Sequence, residues 1–550
     1  MPVPPAATKK RSGNGLILTG LMLGVLLGAL DQTIVGTSLP KIVSDLKDFE
    51  HLAALITAYL LASVVVIPVA GKFSDNYGRR PVYLFGMSVF LLGSVLCGLS
   101  GQWGDWHIGS LTVTGMYQLV LFRFIQGLGG GAIFPVAIAT IGDLYAPAER
   151  GRVQGLFGAM FGLASVIGPF IGGWIVDNAT FVSGIAPWRW VFYVNLPVGA
   201  AALFMVWTHF PRKSERHPHP IDWMGIATIT TFLVSVIIVA EWGGDGEAAH
   251  AWGSTLIVGL ILLALVCLAL FVLIESRVKD PLIPLALFKE PIFTVSAVAS
   301  IFLGAAMFGV ISFMPTYMQG VVGISATYSG AAIIPLSFTM IAGSISSGRM
   351  MKRFGYKPFM VIGPLIAASG YGLLYELSID TAPPVWQAIL VMMYLGVGIG
   401  FTMQTFVVAS QNAIERRFMG VGTSSITLFR TLGATLGIAA FGAILNRRLE
   451  TQLPAHLSQA ALERLLATPG VDGHIARIPQ LLTTPQFMDA QFEGHDALVQ
   501  GIKDGFGASI GAVWVAGAIA AALGWLIAVW IRAKPLKTAA EYDAPAPAAH

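Results

Sequence analysis

Charge is scarce in this chain. Asp, Glu, Lys and Arg make up 11% of its 550 residues, where a soluble domain carries about 25%. Hydrophobic residues reach 55% and the mean hydropathy is +0.73. No water-soluble fold buries that much apolar surface, so lipid must cover it. Cysteine is nearly absent. Cys97 and Cys267 each sit in an apolar run, which excludes a disulfide framework and a zinc site. No histidine is expected to be buried, so an imidazole relay is not expected either. No nucleophile–base set, metal cluster or phosphate loop appears, so the chain does not read as an enzyme. The net charge of +4 comes with positive residues in short loops between apolar runs. That points to membrane topology, not to nucleic acid.

What the chain has is long apolar runs. They fall at about 16–38, 52–73, 82–100, 116–141, 153–176, 190–209, 222–241, 253–275, 292–318, 328–348, 359–377, 385–409, 421–445 and 506–531. Each is close to the roughly 20 residues a transmembrane helix needs. An open sheet would leave its edges unsatisfied in lipid, and the short alternating segments of a barrel are missing. The expectation is an all-α polytopic membrane protein of fourteen spans. The first run is full length, so it reads as a retained span and not a cleaved signal. Lys and Arg gather in alternate loops, for example Lys9, Lys10 and Arg11, then Arg79 and Arg80, then Arg349, Lys352, Arg353 and Lys357. The opposite short loops carry only Lys41, Lys47 and Arg189. This asymmetry places both termini in the cytoplasm. One outer loop is long: residues 446–505, with apolar residues at intervals, open between surface helices, a docking platform and a lightly packed loop. The C-terminal AAEYDAPAPAAH has the composition of a disordered tail.

The loop GKFSDNYGRRP at 71–81 returns as GRMMKRFGYKP at 348–358, with Gly71, Gly78 and Pro81 matched by Gly348, Gly355 and Pro358. Such symmetry is how many secondary transporters are built. It divides the chain into a tail (1–14), a six-helix bundle (15–209), an inserted pair of spans with flanking loops (210–291), a second six-helix bundle with the long loop (292–531), and a tail (532–550).

Few charges lie deep. Asp31, Arg123 and Arg430 fall well within spans, whereas Asp177, Glu241, Glu275 and Glu376 fall at span ends, within reach of water. A carboxylate in hydrocarbon costs roughly 3 kcal/mol or more, so Asp31 is expected to face a cavity and to have a task. At 1.5 Å per residue, Asp31 lies roughly 12 Å and Arg123 roughly 10 Å from the outer ends of their spans. The matching depths predict one shared network, with Arg430 in a different layer. Burial favours the protonated acid and a nearby arginine favours the carboxylate. A changing Asp31–Arg123 separation would therefore couple transport to a proton gradient. The observation against this reading is a carboxyl facing lipid, or locked inside one bundle with no path to solvent.

The motifs LDQTIVGTSLPKI (30–42), GKFSDNYGRRP (71–81), LFRFIQGLGGGAIFPV (121–136), GLASVIGPFIGGWIVD (162–177) and WRWVFYVNLPVG (188–199) occur in this order. PTYMQGVVGISATYSG (315–330) and FRTLGATLGIAAFGAIL (429–445) follow. Together they resemble the major facilitator superfamily, in particular the fourteen-span drug:proton antiporters of the EmrB/QacA type. The resemblance spans residues 15–445.

It implies a proton-driven exporter of lipophilic small molecules, without a cofactor, in a bacterial inner membrane. The same machine dedicated to one endogenous metabolite or siderophore is the second reading, and a transport-inactive scaffold or sensor the third. Proton coupling would rest on Asp31 and Arg123. The loop with Gly71, Asp75, Gly78, Arg79 and Arg80 would be a gate, Asp75 latching onto the helix that begins near Val421. The second copy has Lys352 in place of Asp75, so one latch is implied. Gly162, Gly168, Pro169, Gly172 and Gly173 match the motif that marks antiporters. The cavity would draw on Gln32, Thr33, Tyr59, Gln126, Tyr317, Gln319, Phe401, Gln404 and Arg430. One deep acid against two deep arginines fits a neutral, zwitterionic or weakly anionic amphiphile. Partners implied are the small-molecule substrate, protons, lipid and, in a double-membrane cell, a periplasmic adaptor and an outer-membrane channel reached through the long loop.

Overall fold

In a bilayer every backbone N–H and C=O needs a partner within the chain, so apolar runs fold as helices. The computed structural model describes residues 11–46, 52–108, 111–178, 185–210, 221–243, 250–324, 333–379, 384–468, 471, 474–483, 485–488, 495–532 and 534–536. The loop charges Lys9, Lys10, Lys47, Arg212, Lys213 and Arg216, and the tail from 537, lie outside the described residues. The first group of helices is α1 (Arg11–Leu46), α2 (Leu52–Tyr77), α3 (Arg79–Leu99), α4 (Gly115–Leu144), α5 (Pro147–Asn178), the short α6 (Trp190–Tyr193) and α7 (Asn195–His209). Then come α8 (Trp223–Trp242) and α9 (Thr255–Glu275). The second group is α10 (Pro291–Gly320), α11 (Ile334–Phe354), α12 (Lys357–Ile379), α13 (Val385–Ala413), α14 (Met419–His456), α15 (Gln459–Leu466), α16 (Pro485–Met488) and α17 (His495–Val529). A two-stranded hairpin, β1 (Trp106–Ile108) with β2 (Leu111–Val113), joins α3 to α4.

Among the described residues, thirteen helices are long and apolar enough to cross a membrane. The run expected at 328–348 corresponds to α11, which is not one of them. It carries Ser337, Ser344, Ser347, Gly343 and Gly348 on buried positions because it is wedged between α5 and α13. A helix covered on two faces needs small side chains more than apolar ones.

The first group packs mainly on itself, through α1 with α5 and α7 and through α4 with α2 and α3; the second does so through α10 with α14 and α17 and through α12 with α13 and α17. We refer to them as the N-half and the C-half. The pair α8–α9 packs together at the periphery, and α9 leaves Leu262, Leu265 and Val266 exposed. The start of α1, the end of α2 and the end of α7 share one end of the bundle: Tyr83 donates to the Gly20 carbonyl and Arg80 to that of Trp207. We call this the near end and the opposite one the far end.

Two expectations need correcting. Glu275 does not reach water: it is 3% exposed and accepts the backbone N–H groups of Leu282 and Ile283. A buried histidine does exist. His495 is enclosed at the start of α17 against the Phe487 carbonyl.

The described residues of the long loop are packed. Helix α14 runs past the expected end at 445 to His456, and α17 begins at His495 instead of 506. Ser458 caps α15 by accepting from Ala461 N–H. Leu449, Leu453, Leu465, Ile478, Leu482 and Leu498 bury one apolar cluster continuous with the C-half core. Side chains 50 residues apart in sequence make that cap, which spacing within the loop alone does not reveal.

Candidate functional site

Asp31 lies on α1 and is 1% exposed. It faces neither lipid nor a void. Arg123 on α4 donates to its Oδ2 at 2.6 Å, and Gln126, one turn further on, donates to its Oδ1 at 2.9 Å. Asn195, the first residue of α7, donates to the same Oδ1 at 2.8 Å. Ser94 on α3 accepts from both amides, at 3.1 and 2.9 Å. Gln126 Oε1 in turn accepts from Arg123 at 2.7 Å. Three N–H donors converge on this one carboxylate, and both of its oxygens accept.

The glycine run of α4 builds this site. A Cβ at Gly127 would fall 2.4 Å from the Tyr59 carbonyl oxygen, and one at Gly129 would fall 2.3 Å from the Phe90 backbone nitrogen. Only glycine lets α2 and α3 come so near α4. The close approach lays the Tyr59 ring over the Arg123 guanidinium, 4.3 Å from its centroid. A cation held under an aromatic face and against a carboxylate is tolerated in an apolar bundle. Every partner of Asp31 belongs to the N-half. The next residue, Gln32, is exposed, and so is Gly36, beside which nothing lies within 4 Å.

The gate motif is at the near end. The N–H groups of Gly420 and Val421, at the start of α14, donate to the Asp75 carboxylate at 2.9 and 2.8 Å. A helix N-terminus presents such orphan donors and a favourable dipole to an anion. Arg79 bridges Asp75 at 2.6 Å and Asp143 on α4 at 2.7 Å. Arg80 binds within the N-half only. The two motif copies match in backbone. Gly78 and Gly355 both have positive φ, 94° and 72°, and both turn the chain between helices. Gly71 and Gly348 are the points where the halves touch. A Cβ on Gly71 would meet Ser424 Oγ at 2.1 Å, and one on Gly348 would meet the Gly151 carbonyl at 2.1 Å. Lys352, in the place of Asp75, is exposed. Nearby, Gln154 of α5 donates to Gln411 of α13 at 2.8 Å, and Arg150 donates to the carbonyls of Gly142 and Tyr145. The near end is closed between the halves.

In the antiporter motif, Gly168 admits Thr33, whose hydroxyl donates to the Ala164 carbonyl. Gly162 admits Ile341 and the Ser337 carbonyl from α11. Gly172 is buried, Gly173 has open space around it, and Pro169 lies inside α5. The expected cavity residues do not form one group. Gln126 and Tyr59 belong to the Asp31 network. Tyr317 is buried in the C-half, donating to the Leu377 carbonyl and edge-on to Trp514, and Gln319 follows it on the same helix. Phe401 packs edge-on to Phe359. Gln404 is buried, and neither of its amide atoms has a partner. Arg430 alone bridges: it lies over Phe134 of the N-half at 5.2 Å and donates to the Met403 carbonyl at 3.4 Å. It lines a small apolar cavity with Met307, Ile399 and Met403.

Asn195 and Ser94 were not singled out from sequence. The signal was available for Asn195, an amide inside WRWVFYVNLPVG; a lone serine in an apolar helix gives none. Among the described residues, no group of three or more His, Cys, Asp or Glu is placed to hold a metal ion.

The family model described as Major Facilitator Superfamily matches residues 21–438. The chain belongs to the major facilitator superfamily. This is a family of transporters, not of enzymes. The multidrug transporter protein MdtP of Bacillus subtilis is 37% identical over 539 residues, covering 96% of this chain and 94% of that protein. Multidrug resistance protein 3 of the same organism is 35% identical, covering 80% of each. The superfamily fold recurs in the proton:xylose symporter XylE, with a TM-score of 0.57 at 13% identity over 87% of this chain and 96% of that one.

Proposed function

We propose that the chain is a proton-coupled antiporter that exports lipophilic small molecules by alternating access. Efflux is supported by relatives named as multidrug transporters. Proton coupling is supported by one observation above all: Asp31, a buried acid held by Arg123 and two amides, lies one residue from the exposed Gln32, which puts a path to water one helical position away. In this reading the Gln32 face of α1 looks into the gap between the halves. The closed near end then makes this the outward-facing or occluded state. Proton arrival at Asp31 releases Arg123 and the two amides, and the rearranged N-half no longer favours the Asp75 latch. Each charge carried through the full potential contributes about 2.3 kcal/mol per 100 mV.

The halves at 15–209 and 292–531 move against each other, 210–291 is the insertion, all fourteen runs cross the inner membrane and both termini are cytoplasmic. The packed cap on α14 and α17 is the face that an adaptor and outer channel would meet. Vesicles with an imposed pH gradient and a panel of labelled amphiphiles test the reading. Several unrelated compounds should accumulate against their gradients in wild type and none in Asp31→Asn, with the variant still folded. Movement of a single compound selects a dedicated exporter, and movement of none selects a scaffold. Undiminished uphill transport by Asp31→Asn removes the acid from the mechanism.

A further inference from the structure

At the far end, α14 and α17 border an open groove of about 710 Å³. This lies within the roughly 300–1,000 Å³ of small-molecule sites. Its lining is divided along its length. Arg447, Arg448 and Thr451 stand at one end, one turn past Ile444, where the apolar run of α14 stops. Ala508, Ala512, Ala516 and Ile519 line the rest from one face of α17. Helix α17 runs inward from the far end, and Ala508 to Ile519 spans about 16 Å at 1.5 Å per residue. That is half of the roughly 30 Å hydrocarbon thickness, the depth of one leaflet. Tyr375, 38% exposed, flanks the groove near its charged end, a position common for tyrosine at the lipid–water boundary.

Both arginines are exposed. Among the described residues they have no ion-paired partner; Glu450, the acid nearest them on α14, is exposed and pairs with neither. The nearest acid along α17, Asp504, accepts from Gln500. Two guanidinium groups that line the same groove as an apolar helix face match an amphiphile with an anionic head. Guanidinium suits phosphate because its planar N–H fork meets two oxygens together.

We propose that this groove is a site for one anionic phospholipid. Its phosphate lies between Arg447 and Arg448, and one acyl chain follows the alanine face of α17. The small side chains at 508, 512 and 516 leave the room that a chain fills. Attraction of the anionic head to the two arginines is what distinguishes this lipid from the zwitterionic lipids around it.

The test is native mass spectrometry of the purified full chain, given phosphatidylglycerol or phosphatidylcholine at equal concentration. Wild type should retain one phosphatidylglycerol with about tenfold preference. Arg447→Gln with Arg448→Gln should lower that preference to near unity. Arg447→Lys with Arg448→Lys should keep most of it and serves if the glutamine pair is unstable. Ala512→Leu should expel the lipid with both arginines in place. Equal retention of the two lipids by wild type overturns the site. So does a preference that survives the glutamine pair, or displacement of the lipid by millimolar inorganic phosphate alone.

Discussion

The two halves share a repeat but treat buried charge in opposite ways. In the N-half, Asp31 and Arg123 form an ion pair, and Gln126, Asn195 and Ser94 join it in one network, with Arg123 Nε and Asn195 Oδ1 left without a partner. In the C-half, Arg430 has an aromatic face from the other half and a carbonyl, and Gln404 has no partner at all. A network built on a buried ion pair holds one geometry. An under-satisfied surface accepts what arrives. Under the proposed function, ion handling falls to one half and guest handling to the other.

Deleting the same side chain in each half is the sharpest way to break this comparison. Arg123→Gln leaves a buried carboxylate unpaired and should cost about 3–5 kcal/mol of stability, read as a large fall in the thermal unfolding midpoint. An effect of comparable size is expected at the near end, read there as opening and not as unfolding. Asp75→Ala removes two charge-assisted bonds to the start of α14, about 1.5–3 kcal/mol each, and should open that end. Spin labels at the exposed positions 152 and 352 should report a longer distance; an unchanged distribution would detach the latch from closure. Gly348→Ala should open the same end by crowding the Gly151 carbonyl, at about 1–3 kcal/mol. It tests whether the second motif copy acts through contact where the first acts through charge. The least effect on stability belongs to Arg430→Gln, within about 1 kcal/mol, since no ion pair is lost. Its signature is a several-fold drop in transport of anionic amphiphiles relative to cationic ones. A stability loss equal to that of Arg123→Gln would end the contrast.

Much of this was legible in the chain. Depth counting paired Asp31 with Arg123, because helices of fixed rise in a slab of fixed thickness convert sequence position into height. The match of Gly71–Pro81 with Gly348–Pro358 showed a repeat, and both copies turn at a glycine of positive φ. What stayed hidden depends on rotation about helix axes and on contacts between distant segments. Gln126 looked like a cavity residue and is a partner of Asp31. Arg150 looked like a topological charge and is fully buried. Lys72 ties α2 to the insertion through Asp280 at 2.5 Å, a pairing 208 positions apart.

Helix α14 begins at the Asp75 latch, passes Arg430 at mid-depth, carries Arg447 and Arg448, and ends in the cap, 38 residues later. At 1.5 Å per residue it is a rod of about 57 Å, nearly twice the hydrocarbon thickness. A tilt of about 10°, ordinary for rigid-body switching, would sweep its tip through about 10 Å. Loss of two short bonds on one side of the membrane would then be felt on the other as the swing of a lever arm.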